Sequence, residues 1–534
     1  MTFNFKILAY LFVSSVVLIG CGSTANIIST PVENIDTSPL KVVELTEDQK
    51  KNWGHLDLEQ DTIPGMAVDR AYEELIKNRK GKKVIVAVID SGIDIDHEDL
   101  NDVIWTNNDE IPNNGKDDDN NGYVDDIHGW NFLGDAYNEQ LEYVRMLANK
   151  ETSNPRYEEA EKLLKEEYDK WSGRKIQYGQ IASALNTAHE TLKKELGKDV
   201  YTIEEVNTIS STNQNVQQAV QIANNVDANG LSMIDAVKEL NDIIEQVNEQ
   251  LNYNLNKNFS GRTTGDDIND ISDTGYGNAN VKPVKKSESH GTHVAGIIAA
   301  ERNNGLGANG VANNVEIMAL RVVPNGDEYD KDVALSIRYA VDNGAKVING
   351  SFGKSFSPHS DWVRDAIKYA SDNDVVFVHA AGNDSNDVDI APNFPDDNVN
   401  HVEVSETYIR VGSLTQKYGS KMVSSFSNYG KKNVDIFAPG SEVYSIIPEN
   451  EYDFKGGTSM AAPGVAGIAA LLRSQFPNLT AAQVKQIILD SGLSLNTKVV
   501  VGGDPSDVRS FSDLSKSGKI ANAYNAIIMA ARIQ

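Results

Sequence analysis

The sequence predicts an α/β fold: a parallel sheet with helices on both faces, carrying a mainly α-helical insertion. Three observations predict it. Val84-Ile-Val-Ala-Val-Ile89 is an unbroken, mostly β-branched run that ends in Asp90, the pattern of a strand covered on both faces. Beyond residue 290, strand-like runs at Val315–Val323, Lys346–Asn349, Val375–His379, Tyr408–Val411 and Val434–Ala438 alternate with helical stretches near 331–343, 359–373, 459–475 and 480–491. Alternation of that kind builds a parallel sheet flanked by helices. Between the two lies a stretch of different composition, residues 136–260, rich in Glu, Lys, Gln, Asn and Leu, with Pro155 its only proline.

The N-terminus reads as a targeting segment. Lys6 precedes an apolar stretch from Ile7 to Ile19, too short for a comfortable membrane span but suited to a signal peptide. It ends Leu18-Ile-Gly-Cys21 with small residues following, which resembles the lipobox of bacterial lipoproteins. That resemblance implies cleavage before Cys21, lipidation of its thiol, and a location in the bacterial cell envelope outside the cytoplasm. Cys21 is the only cysteine; an unpaired cysteine in an exported chain asks for such a role, and the mature protein then has no internal disulfide. The ordinary alternative is a plain signal peptide or short anchor holding a stray cysteine. Residues 1–20 are assigned to the signal and 21–50 to a polar tether.

Formal net charge is −28, from 77 acidic and 49 basic residues. This excess argues against nucleic acid or an anionic lipid surface as a partner, so membrane contact falls to Cys21 alone.

After Asp90 comes the densest acidic run, Asp117-Asp-Asp-Asn-Asn-Gly-Tyr-Val-Asp-Asp126. Asp117, Asp119 and Asn121 followed by Gly122 match the start of an EF-hand-type loop, and Asp125 adds a carboxylate, a spacing suited to calcium. The Glu expected at the loop's twelfth place is absent; His128 stands there. The other reading is a solvated loop of Asx turns.

Within the insertion, Leu163, Leu164, Tyr168 and Trp171 recur at helical spacing, as do Ile181, Leu185, Ala188, Leu192 and Leu196, and again Leu240, Ile243, Ile244, Val247 and Leu251. Thr202-Ile-Glu-Glu205 has the form of a capping box. These stripes predict amphipathic helices packed as a hairpin or small bundle. Such a unit is either a helical outgrowth burying its own stripes or an element that gates substrate or docks a partner.

His290 opens His-Gly-Thr-His-Val-Ala-Gly296, ahead of an apolar stretch that reads as a buried helix. Ser459 lies in Gly456-Gly-Thr-Ser-Met-Ala-Ala-Pro463, ahead of an Ala-rich run to Leu472. The serine would sit at a helix N-terminus, where free N–H groups favour developing negative charge. Asp90 would end its strand where open α/β sheets bind ligands. A serine hydroxyl is a weak nucleophile; it needs a base within reach and a third group to orient that base. Asp90, His290 and Ser459 supply acid, base and nucleophile, in one of the chain orders this constellation takes. Each motif alone has an ordinary meaning: a turn, a structural histidine, a helix N-cap. Together they name amide hydrolysis through an acyl-enzyme.

On these motifs the chain resembles the subtilase family of serine peptidases, over about residues 52–135 and 270–534. The resemblance implies a subtilisin-like fold, polypeptide substrates, and the roles of orienting acid, general base and nucleophile for Asp90, His290 and Ser459. It makes His293 a structural residue inside the helix. It also implies that Asn383, in Ala380-Ala-Gly-Asn383, donates to the tetrahedral oxyanion. Ser351, Phe352 and Gly353, with Ala381 and Gly382, would line the cleft and pair with an extended substrate. Many bacterial subtilases carry a similar acidic segment before Gly-Trp-x-Phe, here Gly129-Trp-Asn-Phe132. The resemblance places the catalytic domain at 51–135 and 261–534, interrupted by the insertion at 136–260. Two features depart from the family. Gly464 stands where the family usually has His, inside the helix and away from the chemistry. Only roughly 30 residues separate the tether from the strand that ends in Asp90, too few for a folded propeptide, so folding without a cleaved prodomain is expected. A non-catalytic binding protein on the same scaffold would be marked by a broken triad, and here no member is replaced.

Overall fold

A computed structural model of the chain describes residues 27, 29–33, 39–41, 43–400 and 402–533. Cys21 and the signal segment lie outside the described residues. Among those described, no helix is long and apolar enough to cross a membrane.

Down the chain, helix α1 (Glu47–Asn52) leads to strand β1 (Val84–Asp90) and β2 (Gly129–Asn131). The insertion follows with α2 (Glu142–Ala148), the 40-residue α3 (Tyr157–Leu196), α4 (Gln214–Asp227) and α5 (Met233–Glu249). Then come α6 (His290–Ala299), β3 (Val315–Arg321), α7 (Asp330–Asp342), β4 (Val347–Gly350), α8 (Ser360–Asp372), β5 (Val376–Ala380), β6 (Tyr408–Leu414) and β7 (Ile436–Pro439). The chain closes with α9 (Thr458–Gln475), α10 (Ala481–Ser491), β8 (Leu493–Ser494), β9 (Lys519–Ile520) and α11 (Ala523–Ile533). The nine strands form one sheet in the order β8-β9-β7-β6-β5-β4-β1-β3-β2. Every pairing is parallel except β8 with β9.

Side-chain alternation along the strands explains the layers. Val84, Val86 and Val88 of β1, with Val315, Ile317 and Ala319 of β3, face a core completed by α6, α9, α10 and α11. Ala87 and Ile89, with Met318 and Leu320, face the opposite core under α7 and α8. Helices therefore lie on both faces of a mostly parallel sheet, the α/β architecture the strand runs predict.

The insertion is helical. Its own core joins Ala182, Leu185, Ala188 and Leu192 of α3 to Ala219, Ala223, Met233 and Leu240. A second small core ties it to the body: Tyr143, Val144, Leu147 and Ala160 meet Leu255 and Phe356. Thr202 and Glu205 form the capping box that the sequence predicts. Three stripe residues differ, since Tyr168, Ile181 and Ile243 are 48%, 44% and 36% exposed; α3 leans on its neighbours along a narrower seam than its apolar pattern.

The tether expectation is corrected for part of its length. Ser29 Oγ lies 2.6 Å from the Tyr524 hydroxyl, and Val32 N–H donates to Asn525 Oδ1 at 2.8 Å while its carbonyl accepts from Asn525 Nδ2. The Asn525 amide serves both backbone groups of Val32 as a strand partner would, and the valine side chain enters the first core. Thr46 caps α1 with a reciprocal capping box to Gln49. Polar composition conceals both contacts because one valine and one cap carry them.

Candidate active site

Three adjacent strands deliver the candidate residues to one edge. In the order β5-β4-β1, β1 ends at Asp90, β4 runs into Ser351, and β5 runs into Ala381-Gly382-Asn383. Helix α9 meets this edge with Ser459 as its second residue.

Asp90 is buried at 1% exposure. Its Oδ1 accepts from His290 Nδ1 at 2.7 Å and from Ser91 N–H at 2.8 Å. Gly291 makes the approach of α6 possible: a Cβ there would lie 2.3 Å from the Gly92 carbonyl and 3.2 Å from Asp90 Oδ1. Holding Nδ1 as the donor leaves Nε2 of a neutral imidazole as the basic nitrogen. His293, one helical turn on, is fully buried and donates from Nε2 to the Asp453 carbonyl at 3.1 Å. Burial pushes it down to about 3, so it is a neutral structural group.

Ser459 is half-buried. Its Oγ donates to the Ser351 carbonyl at 3.0 Å, while Ser351 Oγ donates to the Ser459 carbonyl at 2.9 Å. Asn349 Nδ2 steadies Ser351 Oγ from the strand below. The structure thus brings Asp90 and His290 together by a direct bond, and ties Ser459 to β4 rather than to the imidazole. Apo hydroxyl–imidazole contacts are often loose in such sites.

Asn383 is exposed, and one end of it is committed. Thr458 N–H and Thr458 Oγ1 both donate to Asn383 Oδ1, at 2.9 and 3.0 Å. A backbone N–H can only donate, so the oxygen faces Thr458, and Nδ2 has no hydrogen-bond partner among the described residues. Ser459 N–H, at the second helical position, has no intrahelical acceptor in reach. Gly382, at φ +100°, holds the turn before Asn383; a Cβ would lie 2.3 Å from Asn428 Nδ2. Ala381 is buried, its carbonyl bonded to that same amide.

Of the expected cleft residues, Gly353 is exposed and Ser351 is buried against Ser459. Phe352 differs from the expectation. Its ring is buried in the second core, edge-on to His379, whose Nε2 donates to the Phe352 carbonyl at 2.8 Å. Alternation past β4 turns this side chain under the sheet. The segment continues into residues gripped by the insertion: Lys354 Nζ bonds Glu142 at 2.7 Å, Arg156 bonds the Ser355 carbonyl at 2.6 Å, and Phe356 enters the shared core.

Two supporting residues escape sequence reasoning. Arg321, at the end of β3 and fully buried, reaches the Ser91 carbonyl and Glu288 as well as Asn131, Gly134 and Ala136. It braces the loops around Asp90; burial pushes the paired Glu288 carboxyl upward while Arg321 opposes. Thr458 orients Asn383. Its place just before Ser459 was the only signal, and nothing local marks Arg321. A Cβ at Gly464 would lie 2.8 Å from Met66 Cε, so the end of the Met66 side chain fills the space beside this glycine.

Of the four expected calcium ligands, Asp117 and Asp119 converge on the Asn121 N–H, each with Oδ1 at 3.0 Å, while Asp125 turns to other amides. Asp117 accepts from the Asn121 and Gly122 amides, Asp125 from those of Asn114 and Gly115, and Asn121 Oδ1 from that of Tyr123. Short side chains in a Gly- and Asn-rich loop bond their own backbone first. Asp119 alone joins other carboxylates, those of Glu110 and Asp126.

A family model described as the subtilase family matches residues 81–156 and 173–512. The chain belongs to the subtilase family. Over 191 residues it is 43% identical to a thermophilic serine proteinase of Bacillus sp. (strain AK1), covering 36% of this chain and 44% of that protein. Thermitase of Thermoactinomyces vulgaris is 42% identical over 192 residues, 36% of this chain and 63% of its own length. Subtilisin DY of Bacillus licheniformis is 35% identical over 214 residues, 40% of this chain and 73% of its own length. The chain therefore spans about half the length of the first two of these subtilases.

Proposed function

We propose that this subtilase is a serine endopeptidase that hydrolyses polypeptides through an acyl-enzyme. The observation that carries the reading is the 2.7 Å bond from His290 Nδ1 to the buried Asp90 carboxylate, at the edge where α9 presents Ser459. In the proposed cycle Ser459 Oγ gives up its bond to the Ser351 carbonyl and attacks the scissile carbonyl carbon. Its proton passes to His290 Nε2, and Asp90 holds the imidazolium. Asn383 Nδ2 and Ser459 N–H donate to the tetrahedral oxyanion. The imidazolium then protonates the departing amine as the C–N bond breaks. Water, deprotonated by the same imidazole, attacks the acyl carbon; the ester C–O bond breaks and the imidazolium returns the proton to Ser459 Oγ. Ser351, Gly353, Ala381 and Gly382 line the cleft in this reading; Phe352 lends its backbone only. The names of the matched relatives, serine proteinases and a subtilisin, support polypeptides as substrates.

The test is labelling by a fluorophosphonate probe together with casein hydrolysis. Both are expected for the wild type and neither for Ser459→Ala. A wild type that folds but takes no label would place the chain among binding proteins on this scaffold.

We further propose that the enzyme works outside the cytoplasm, anchored by a lipid on Cys21. The apolar stretch from Ile7 and the Leu18-Ile-Gly-Cys21 ending support this. Metabolic labelling with a fatty acid should mark the wild type and not Cys21→Ala. Equal labelling of both would reject the anchor.

A further inference from the structure

We propose that the helical insertion is part of the peptide-recognition machinery. It holds the segment Ser351–Phe356 in the shape that receives an extended substrate, with Arg156 as a positioning residue. This role rests on the endopeptidase reading above, and it lies in binding and not in the chemistry. Residues 351–359 join β4 to α8 without a helix or strand of their own. Connecting segments of that kind are ordinarily mobile, and a mobile wall that must be ordered on binding weakens affinity.

Gly353 is exposed, and its N–H and carbonyl have no hydrogen-bond partner among the described residues. The next residue is fixed on its other edge. Lys354 N–H donates to the Phe394 carbonyl at 3.0 Å, and its own carbonyl accepts from Phe394 N–H at 2.8 Å. Neighbouring residues of an extended chain turn their peptide groups to opposite edges. Gly353 therefore presents an open edge on the side away from Phe394, where a substrate strand can add.

The insertion's grip begins one residue later. Buried Lys354 Nζ donates to Glu142 at 2.7 Å and to the Glu328 carbonyl at 2.6 Å, with Asp330 at 3.0 Å. Arg145 pairs with the same Glu142 at 2.6 Å and donates to the Asp327 and Glu328 carbonyls at 2.7 and 3.1 Å, which ties the loop after β3 into the same junction. Arg156 donates to the Ser355 carbonyl at 2.6 Å and lies 3.7 Å above the centre of the Phe356 ring. That ring is 4% exposed and packs among Tyr143, Val144, Leu147 and Ala160. Three consecutive residues are thus held, each by a different group of the insertion, directly after the peptide left open. An outgrowth that only buried its own stripes would need none of these contacts, since α3–α5 already close a core of their own.

The experiment pairs steady-state kinetics with the rate of fluorophosphonate labelling, which reads the triad without a peptide. The substrate is an internally quenched peptide drawn from a casein site that the wild type cuts. In Arg156→Ala, KM should rise about tenfold while kcat and the labelling rate stay at wild-type values. Arg156→Lys keeps a cation over the ring and should recover most of the loss. Phe356→Ala should raise KM in the same way, with circular dichroism verifying its fold. Leu192→Ala, which loosens only the core of α3–α5, should leave KM unchanged. A wild-type KM in folded Arg156→Ala and Phe356→Ala would overturn the proposal. So would an equal rise in Leu192→Ala, the mark of general loosening, or a fall in kcat and labelling at constant KM, the mark of an effect on Ser459. A wild type that takes no label would remove the endopeptidase reading and this role with it, an outcome distinct from labelled variants with an unaltered KM.

Discussion

Thr458 decides what Asn383 can do. Because its N–H and hydroxyl both take the amide oxygen, the free end of Asn383 is a donor before any substrate arrives. Pre-aimed donors stabilise developing charge without reorganising at the moment of reaction. Asn383→Ala should therefore lower kcat about 100- to 1,000-fold, roughly 2.7–4 kcal/mol of transition-state stabilisation, and leave KM nearly unchanged. Steady-state kinetics on a peptide substrate checks this; a loss confined to KM would mean that Asn383 binds the ground state. The residues with a local context, Asp90 ending a strand and Ser459 and His290 opening helices, were legible from the chain. Those whose partners are remote were not. Arg321 reaches the Ser91 carbonyl and Glu288 from the end of β3, and no neighbour in sequence announces a role that exists only after folding. Phe352 was misread for the same reason, since one residue of alternation separates a cleft from a core.

Among the elements, the central strands were legible because burial on both faces demands continuous apolar runs. The short strands β2, β8 and β9 were not, for two or three residues carry no period. The insertion was legible as helices but not as a shape. A stripe shows that a helix buries a face, while α3 divides its face between two cores. Leu163, Leu164 and Trp171 serve the one that holds Phe356, and Leu185, Ala188 and Leu192 the other. The two cores make separate predictions. Leu192 is fully buried in the outer one, so Leu192→Ala should cost about 2–5 kcal/mol. Hydrogen exchange should show that cost in α3–α5 and not in the central sheet, because the outer core opens as its own cooperative unit. Equal loss of protection in β1 and β4 would mean that insertion and body unfold as one. Such coupling would run through Lys354, Ser355 and Phe356, the residues by which the insertion holds the segment leading from Ser351.

Across the whole molecule, buried carboxyls set opposing arms of a stability profile. Glu142 is buried, which alone would raise it, but Arg145 and Lys354 overcome burial and hold it at about 2. A depressed carboxyl contributes stability present above its unfolded value of 4.5 and lost as pH falls toward 2. Asp397 is the reverse case. Burial pushes it up to about 7, Lys485 opposes, and Glu403 and Asp435 add to the rise; its Oδ2 has no hydrogen-bond partner among the described residues. Glu328 is likewise raised by burial to about 7. Between the unfolded value and about 7 the native state holds protons that the unfolded chain has released. Stability is therefore fully present at low pH for these groups and falls as pH rises through 7. The self-repulsion of a −28 chain works in the same direction. Calorimetry on Ser459→Ala, which avoids self-cleavage, should find the melting temperature highest on the acid side of neutrality and declining from pH 5.5 to 8.5. Adding Asp397→Asn should flatten that decline. Its gain at pH 8.5 has a ceiling of roughly 4 kcal/mol, reduced by the lost attraction to Lys485, and should shrink toward nothing as pH falls to 4. A gain equal at both ends of the range would mean that Asp397 destabilises through packing and not through its charge.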